Sequence, residues 1–478
     1  MEIEIITTPG HSPDSICLCL FESGVPVALF SGADARILRG PLPVDRQALR
    51  TGTSIAQPAV LAKAAWARYK CAFAIFMSAV FQTLRTQVFQ KPGFWSTAAW
   101  VAWLAALSVL IVRFCFGLHR AYAFTDYMLA GSHWIHGENL YFNWRGFIYS
   151  PLAAAFFAPL ALLPPALAYT IWVLLSVAVL LGGLTAVLRT GLFPGIHPEN
   201  AGIVYLLLLP FTLGNLDVGQ ANAFVIGFLM LAIAAVYVGR WNTAAFCIAV
   251  PTFFKIYPLA LGLLFCIIAP RRFSWRLLIA LLLLAAAPFL FQHWSYVSEQ
   301  YHAWIATRSA DDRRIYPINY VPLDFWYLIH WVAHLPIGRW LYTLIQLGTG
   351  AALALFSLWG RWRQWSTARV LSGLFVLASI WMVLWGPASE SHTYLLLAPA
   401  LVLALVQSIN ERYPVWLRVL VSAAFILQFI NHNTRTSYLF HIKQAWIFSA
   451  QPLSALLFLS YCLIWLLNDS FWPAESIA

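Results

Sequence analysis

The chain of 478 residues is 61% hydrophobic with a mean hydropathy of +0.74, and only 10% of its residues are charged. Soluble domains carry about 25% charged residues, so a single water-solvated core is excluded and most of the chain must be solvated by lipid. The net charge of +11 does not imply a nucleic-acid partner, because the basic residues are dispersed in short clusters beside apolar runs, as in the cytoplasmic loops of membrane proteins.

Residues 1–50 read as a small soluble piece with β-like runs, "SICLCLF" and "VPVALF", separated by Gly and Pro turns. This segment carries six acidic residues and no long apolar core, so no cleavable signal peptide is expected. Residues 51–92 place Lys63, Arg68, Lys70, Arg85 and Lys91 on an Ala- and Phe-rich background, the pattern of a basic amphipathic helix lying on the cytoplasmic surface. Residues 93–478 read as an all-α polytopic membrane domain, its first run at Phe94 serving as an uncleaved anchor. The seven cysteines form no Cys-x-x-Cys pair and mostly sit in apolar runs, so neither a disulfide framework nor a zinc site is expected.

Basic clusters at 85–91, Arg189, Arg240, Arg271–Arg276, Arg361–Arg369 and Arg412–Arg418 are assigned to the cytoplasm. The loops at 117–150, 214–220, 255–258, 292–338, 386–392 and 432–444 then lie outside. Three apolar segments separate the first two outer loops, yet an even number of crossings is required. A full span needs about 20 residues, so the segment 151–163, ending in "LLPP", is expected to be re-entrant. The short pieces flanking Pro258 are expected to form a shallow hairpin. This reading gives 12 spans with both termini inside.

Asp126, Tyr149, Gln220, Asn222, Lys255, Glu390 and His392 are remote in sequence but all map to the outer half of the membrane. Ionisable groups at membrane depth are costly and face a cavity or a partner, so their convergence predicts one extracytoplasmic cavity. Each has a plainer alternative. Asp126 suits a general base, or else a helix cap or a partner of Arg120. Gln220 and Asn222, after Gly219, suit ligand contact or interhelical hydrogen bonding, with Asp217 as part of a helix cap. Lys255 suits neutralisation of a lipid-linked phosphate, or snorkelling to the interface. Glu390 and His392 suit substrate contact, or a helix start with Ser389 as its cap. The charged loop "RSADDRRIYPINY" (308–320) reads as a solvated face; Asp311 and Asp312 have no further carboxylate near them to complete a cation site. No P-loop, Gly-x-Gly-x-x-Gly helix start or nucleophile elbow occurs.

Taken in order, "FTDYMLAG", "GENLY", "FIYSPLAAAFFAPLALLP", "VGQANAFVIG", "FFKIYPLALGLLF", "PRRFSWRLL", "DDRR" and "SESHTYLLLAPAL" resemble glycosyltransferase family 87, a group of the GT-C superfamily similar to polyprenyl-phosphate-mannose-dependent mannosyltransferases. The resemblance covers roughly residues 94–440. It implies a GT-C-type fold and a metal-independent, inverting transfer of a sugar, mannose above arabinofuranose, from a polyprenyl-phosphate donor to a glycan or glycolipid acceptor. It makes Asp126 the base and maps Lys255, Gln220 with Asn222, and Ser389–His392 onto family motifs. Glu390 stands where many members carry an aromatic residue. No cofactor and no nucleic acid are implied; the partners are the lipid-linked sugar, its acceptor and membrane lipids. A lipid or sugar transporter is the competing reading and would favour inverted repeats, which are not evident; a non-catalytic scaffold leaves the one-sided polar set without purpose. "TTPGHSPDSICLCLFESGVPVALFSGAD" is similar to the later half of a metallo-β-lactamase-fold hydrolase, with His11 and Asp34 at two metal-ligand positions. The His-x-His-x-Asp-His motif is absent, so a remnant without hydrolase activity is expected.

Overall fold

The computed structural model describes residues 2–6, 17–22, 25–31, 77–82, 92–142, 146–312, 314, 321–387, 389–432 and 444–472. Its contacts divide the chain into Met1–Ala72 and Phe73–Ala478. In the first unit, β1 (Glu2–Ile6), β2 (Cys17–Glu22) and β3 (Val25–Ser31) form an antiparallel sheet in the order β1-β2-β3. Cys17 pairs with Ser31 and Glu22 with Val25, and the register shifts between Leu20 and Phe21. His11, Asp34 and most of the basic segment 51–92 lie outside the described residues.

The second unit is helical: α1 (Pro92–Cys115), α2 (Tyr122–His136), α3 (Pro151–Ala161), α4 (Pro165–Thr190), α5 (Ala201–Asp217), α6 (Asn222–Tyr237), α7 (Trp241–Phe254), α8 (Pro258–Ile268), α9 (Pro270–Ala286), α10 (Trp294–Ala310), α11 (Arg339–Trp362), α12 (Thr367–Leu384), α13 (Ala398–Asn410), α14 (Val415–His432) and α15 (Gln444–Leu467). Lipid cannot hydrogen-bond backbone, so each apolar run closes its own ladder as a helix. Proline opens α1, α3, α4, α8 and α9, where its missing N–H costs nothing. Among the described residues six helices are long and apolar enough to cross a membrane. This is a multi-pass membrane protein. The expected twelve spans would require shorter helices to cross as well.

Backbone contacts order the two ends of the bundle. A Cβ on Gly202, at the start of α5, would meet Trp95 and Ser96 at the start of α1, while Asp217 at the end of α5 pairs with Arg113 at the end of α1. Helix α4 starts at that second end, where the Tyr169 hydroxyl donates to the Leu216 carbonyl and the Trp172 indole to the Gly219 carbonyl. Further along, α4 and α6 touch backbone to backbone: a Cβ on Gly183 would lie 2.3 Å from the Gly227 carbonyl oxygen. Helix α6, which starts at the second end with Asn222, therefore finishes at the first, where α7 begins after Arg240 and from which it returns to the second end with Lys255.

Two elements are too short to cross. Helix α3, with 11 residues, rises about 16 Å. Its first turn sits beside α7, where Ser150 Oγ donates to the Phe253 carbonyl at 2.7 Å, and it climbs back to the end where α4 begins. Its shortness is compatible with the re-entrant element expected from the parity of the loops. The pair α7–α8, 14 and 11 residues, forms a hairpin whose tip is Lys255–Tyr257.

Candidate active site

Helix α2 carries Asp126 and is fixed by its backbone. The first-turn N–H groups of Ala123 and Phe124 donate to the Val218 carbonyl at 3.1 and 3.3 Å, so the α5–α6 corner supplies the cap that no side chain provides. At that corner Gly219 has φ +73°, and a Cβ there would stand 2.5 Å from the Phe124 Cβ. Asp126 lies on the next turn, half-buried, and among the described residues its carboxylate has neither a hydrogen bond nor an ion pair. It caps no helix and does not pair with Arg120. Burial pushes it up to about 6.

Asp217 does not cap α6, whose cap residue Ala221 makes no side-chain bond. It binds Arg113 at 3.1 Å and His119 at 3.4 Å instead, tying α1 to the corner.

Beside this corner opens a cavity of about 410 Å³. Its polar lining comes from Tyr149, Thr252, Lys255, Tyr257, Arg308 and Glu390, and its apolar walls include Phe254 and Trp304. The hairpin tip positions Lys255: the chain leaves α7 in an extended conformation, φ −149° and ψ 129°, and the ammonium lies 5.7 Å from the Tyr257 ring centre. Helix α10 roofs the cavity, with the Trp304 indole donating to the Ile148 carbonyl at 3.2 Å. Arg308, from the same helix, is held by Asp311 at 2.9 Å. Where the loop 308–320 is described, Ser309 and Ala310 are exposed while Arg308 and Asp311 are partly buried. Asp312 likewise pairs with Arg314 at 2.8 Å and Arg339 at 3.8 Å. Among the described residues no group of three or more His, Cys, Asp or Glu side chains is placed to hold a metal ion.

An amide lattice holds the cavity wall in place. The His392 carbonyl accepts from Asn222 Nδ2 at 2.9 Å and from Asn215 Nδ2 at 3.2 Å. The Tyr257 hydroxyl donates to Asn222 Oδ1 at 3.1 Å, so one buried amide joins the hairpin tip to the turn of 3-10 helix at Ser391–Leu396. Thr393 Oγ1 accepts from the Glu390 N–H at 3.1 Å and closes the start of that turn. Burial holds His392 below the ordinary imidazole range, opposed by the Glu390 carboxylate and reinforced by Lys255. The Tyr127 hydroxyl donates to the Tyr149 hydroxyl at 3.2 Å and accepts from the Ala221 N–H at 3.3 Å, linking α2 to the cavity wall.

Of the residues singled out in the sequence, Tyr149, Lys255 and Glu390 line the cavity directly. Asn222 and His392 stand in its supporting wall. Gln220 is buried at the corner, with its Oε1 unpartnered among the described residues. Asp126 is not a lining residue; the Tyr122 hydroxyl, one turn before it, feels the charges of both Asp126 and the lining residue Glu390. Arg308 and Asn215 were missed. The first was hidden in a charged loop, while Asn215, a lone amide seven residues before Asn222 in an apolar helix, carried a readable signal.

The fold and site define a helical membrane protein in which a cavity lined by Lys255 and Arg308 opens where a short helix, a short hairpin and the roof helix α10 meet. The model of glycosyltransferase family 87 matches residues 147–406, more than half of the chain, and no curated protein matches it. The chain belongs to glycosyltransferase family 87 and is a glycosyltransferase. The matched segment contains Tyr149, Gln220, Asn222, Lys255, Glu390 and His392, and begins after Asp126.

Proposed function

We propose that the protein transfers a sugar, mannose in the first instance, from a polyprenyl-phosphate donor to a glycan or glycolipid acceptor, with inversion, at the extracytoplasmic face of the cell membrane. The observation that carries this reading is the cavity lined by both Lys255 and Arg308, set within aromatic and aliphatic walls. Two cations in an apolar enclosure suit a phosphate attached to a lipid chain. Ile256 and Ile305, lining residues that are 51% and 62% exposed, give an isoprenoid tail an apolar exit.

In the proposed reaction the acceptor oxygen attacks the anomeric carbon as the bond from that carbon to the phosphate oxygen breaks. The polyprenyl phosphate leaves with the electron pair, and Lys255 with Arg308 neutralises its charge. The acceptor proton passes to Asp126, whose raised value near 6 makes it a stronger base than an ordinary carboxylate while it stays ionised at neutral pH. Tyr149, Glu390 and the wall held by Gln220, Asn222 and His392 orient the sugar. No metal or cofactor enters, because the leaving group is already a phosphate and the chain's own cations meet its charge.

The test is sugar transfer by the purified protein in liposomes, with a panel of polyprenyl-phosphate sugars and membrane-extract acceptors, alongside Asp126→Asn and Lys255→Gln. Transfer by wild type, its loss in Asp126→Asn with donor binding kept, and weakened donor binding in Lys255→Gln are expected. Transfer from a nucleotide sugar instead would sink the donor assignment. Flipping of the lipid with no transfer would favour a transporter.

A further inference from the structure

At the end of the bundle opposite the catalytic cavity, α6 stops at Tyr237 and α7 starts at Trp241, leaving a tight corner. There a second cavity of about 300 Å³ is lined by Gly239, Arg240, Trp241, Asn242, Thr243 and Arg276. Arg276 comes from α9 and is pre-positioned. Its Nε donates to Asn242 Oδ1 at 2.7 Å, an Nη1 bond reaches the Arg272 carbonyl, and the guanidinium stacks 4.2 Å from the Trp275 ring centre. These bonds leave the rest of its donor fork uncommitted among the described residues. Arg271 and Arg272 stand on the preceding turn.

No Asp or Glu occurs between Asp217 and Glu299. Among the described residues none of Arg240, Arg271, Arg272 and Arg276 has an acidic partner. A concave corner with this much unbalanced positive charge attracts an anion with several acceptor oxygens. The arginine fork matches phosphate in two-point contact.

The surroundings say which anion. From the corner an apolar track runs along α9 through the exposed Leu278, Ile279, Leu282 and Leu283, with the exposed Phe246 of α7 beside it. Trp275, half-exposed, sits at the head of that track, as interfacial tryptophans do. A soluble phosphate has no use for such a track, whereas acyl chains do.

We propose that the α6–α7 corner, closed by Arg276, binds the phosphate head group of an anionic phospholipid whose acyl chains lie along the exposed face of α9. The site is separate from the donor cavity. The 14 residues of α7 put about 20 Å of helix rise between Arg240 and Lys255. The bound lipid would seat the foot of the hairpin that carries Lys255.

The test uses the full-length protein in nanodiscs of phosphatidylcholine doped with phosphatidylglycerol, with native mass spectrometry counting retained lipids. Wild type is expected to retain phosphatidylglycerol selectively. The double variant Arg240→Gln/Arg276→Gln is expected to bind it about thirtyfold more weakly, from roughly a fivefold loss per charge near the interface. Arg276→Lys, which keeps charge but not the fork, should fall between them. Arg189→Gln/Arg412→Gln, at the same end of the bundle, should retain the lipid as wild type does. Equal loss in that control would mean a diffuse surface field and overturn the proposal, as would retention by the double variant. Thermal unfolding of wild type in neutral detergent gives a readout independent of the variants. Stabilisation by phosphatidylglycerol above that by phosphatidylcholine is expected, and equal stabilisation by inorganic phosphate would overturn the lipid assignment.

Discussion

In the proposed mechanism the protonation of Asp126 couples catalysis and stability, and the two respond to pH in opposite senses. Its folded-state value, about 6, lies above the ordinary 3.8, so the fold favours the protonated form. That contribution is complete below about 3.8 and is lost as pH rises through 6. A general base must be ionised, so transfer should decline as pH falls through 6, which a pH profile of kcat/KM measures. Asp126→Asn should lower kcat by a factor of about 10²–10⁴. It should also leave the midpoint of thermal unfolding at pH 7.5 unchanged or raised, since it removes a partly desolvated charge. A lowered midpoint would mean that the carboxylate holds the fold. In the same proposal Lys255 and Arg308 act on the donor side: Arg308→Gln should raise KM for the lipid donor more than it lowers kcat, because α10 carries it into the cavity lining. A kcat effect alone would remove Arg308 from donor binding.

At the scale of elements, the catalytic geometry depends on how α2 meets the α5–α6 corner. Gly219→Ala must adopt φ +73°, which costs an L-residue about 1–2 kcal/mol, and its Cβ would enter the space of Phe124. The expected outcome is a displaced α2, seen as lost transfer together with a lowered unfolding midpoint. Asn222→Ala would strip one partner from the His392 carbonyl and the acceptor from the Tyr257 hydroxyl, both in the cavity wall. Unpaired buried polar groups cost about 1–3 kcal/mol each. The variant should therefore be destabilised as well as impaired, whereas Asn222→Asp should restore the Tyr257 bond alone. A variant impaired without destabilisation would move Asn222 from the wall to the substrate.

The whole molecule has two chemically distinct ends. Asp126, Lys255, Arg308 and Glu390 gather at one, and Arg240 with Arg276 stands at the other. In a cysteine-free background, cysteines at Glu138 and Arg240 should react with a membrane-impermeant maleimide from opposite sides of sealed vesicles. Labelling of both from one side would refute the path traced through α4 to α7. The short hairpin α7–α8 also explains why a lysine can work here. Its tip is reached from the far end and carries Lys255 into the cavity lining, where the proposed donor phosphate would meet it.

Much of this was legible in the chain itself. Apolar runs bounded by proline announce lipid-solvated helices because backbone in lipid has no partner but its own ladder, and the lengths around Pro151 and Pro258 exposed both elements that fall short of a crossing. Polar residues in such runs are so costly that Tyr149, Lys255 and Glu390 stood out as lining candidates. Tertiary structure alone decided the rest. Arg308 enters the cavity because α10 folds back over residue 148, and Asn222 becomes a strut because its two partners arrive from residues 257 and 392. Asp126 stands off the lining because the Val218 carbonyl fixes where α2 begins. Each of these contacts joins parts of the chain that no local pattern relates: hydrophobic periodicity records which side of a helix meets lipid, and packing determines what the other side meets.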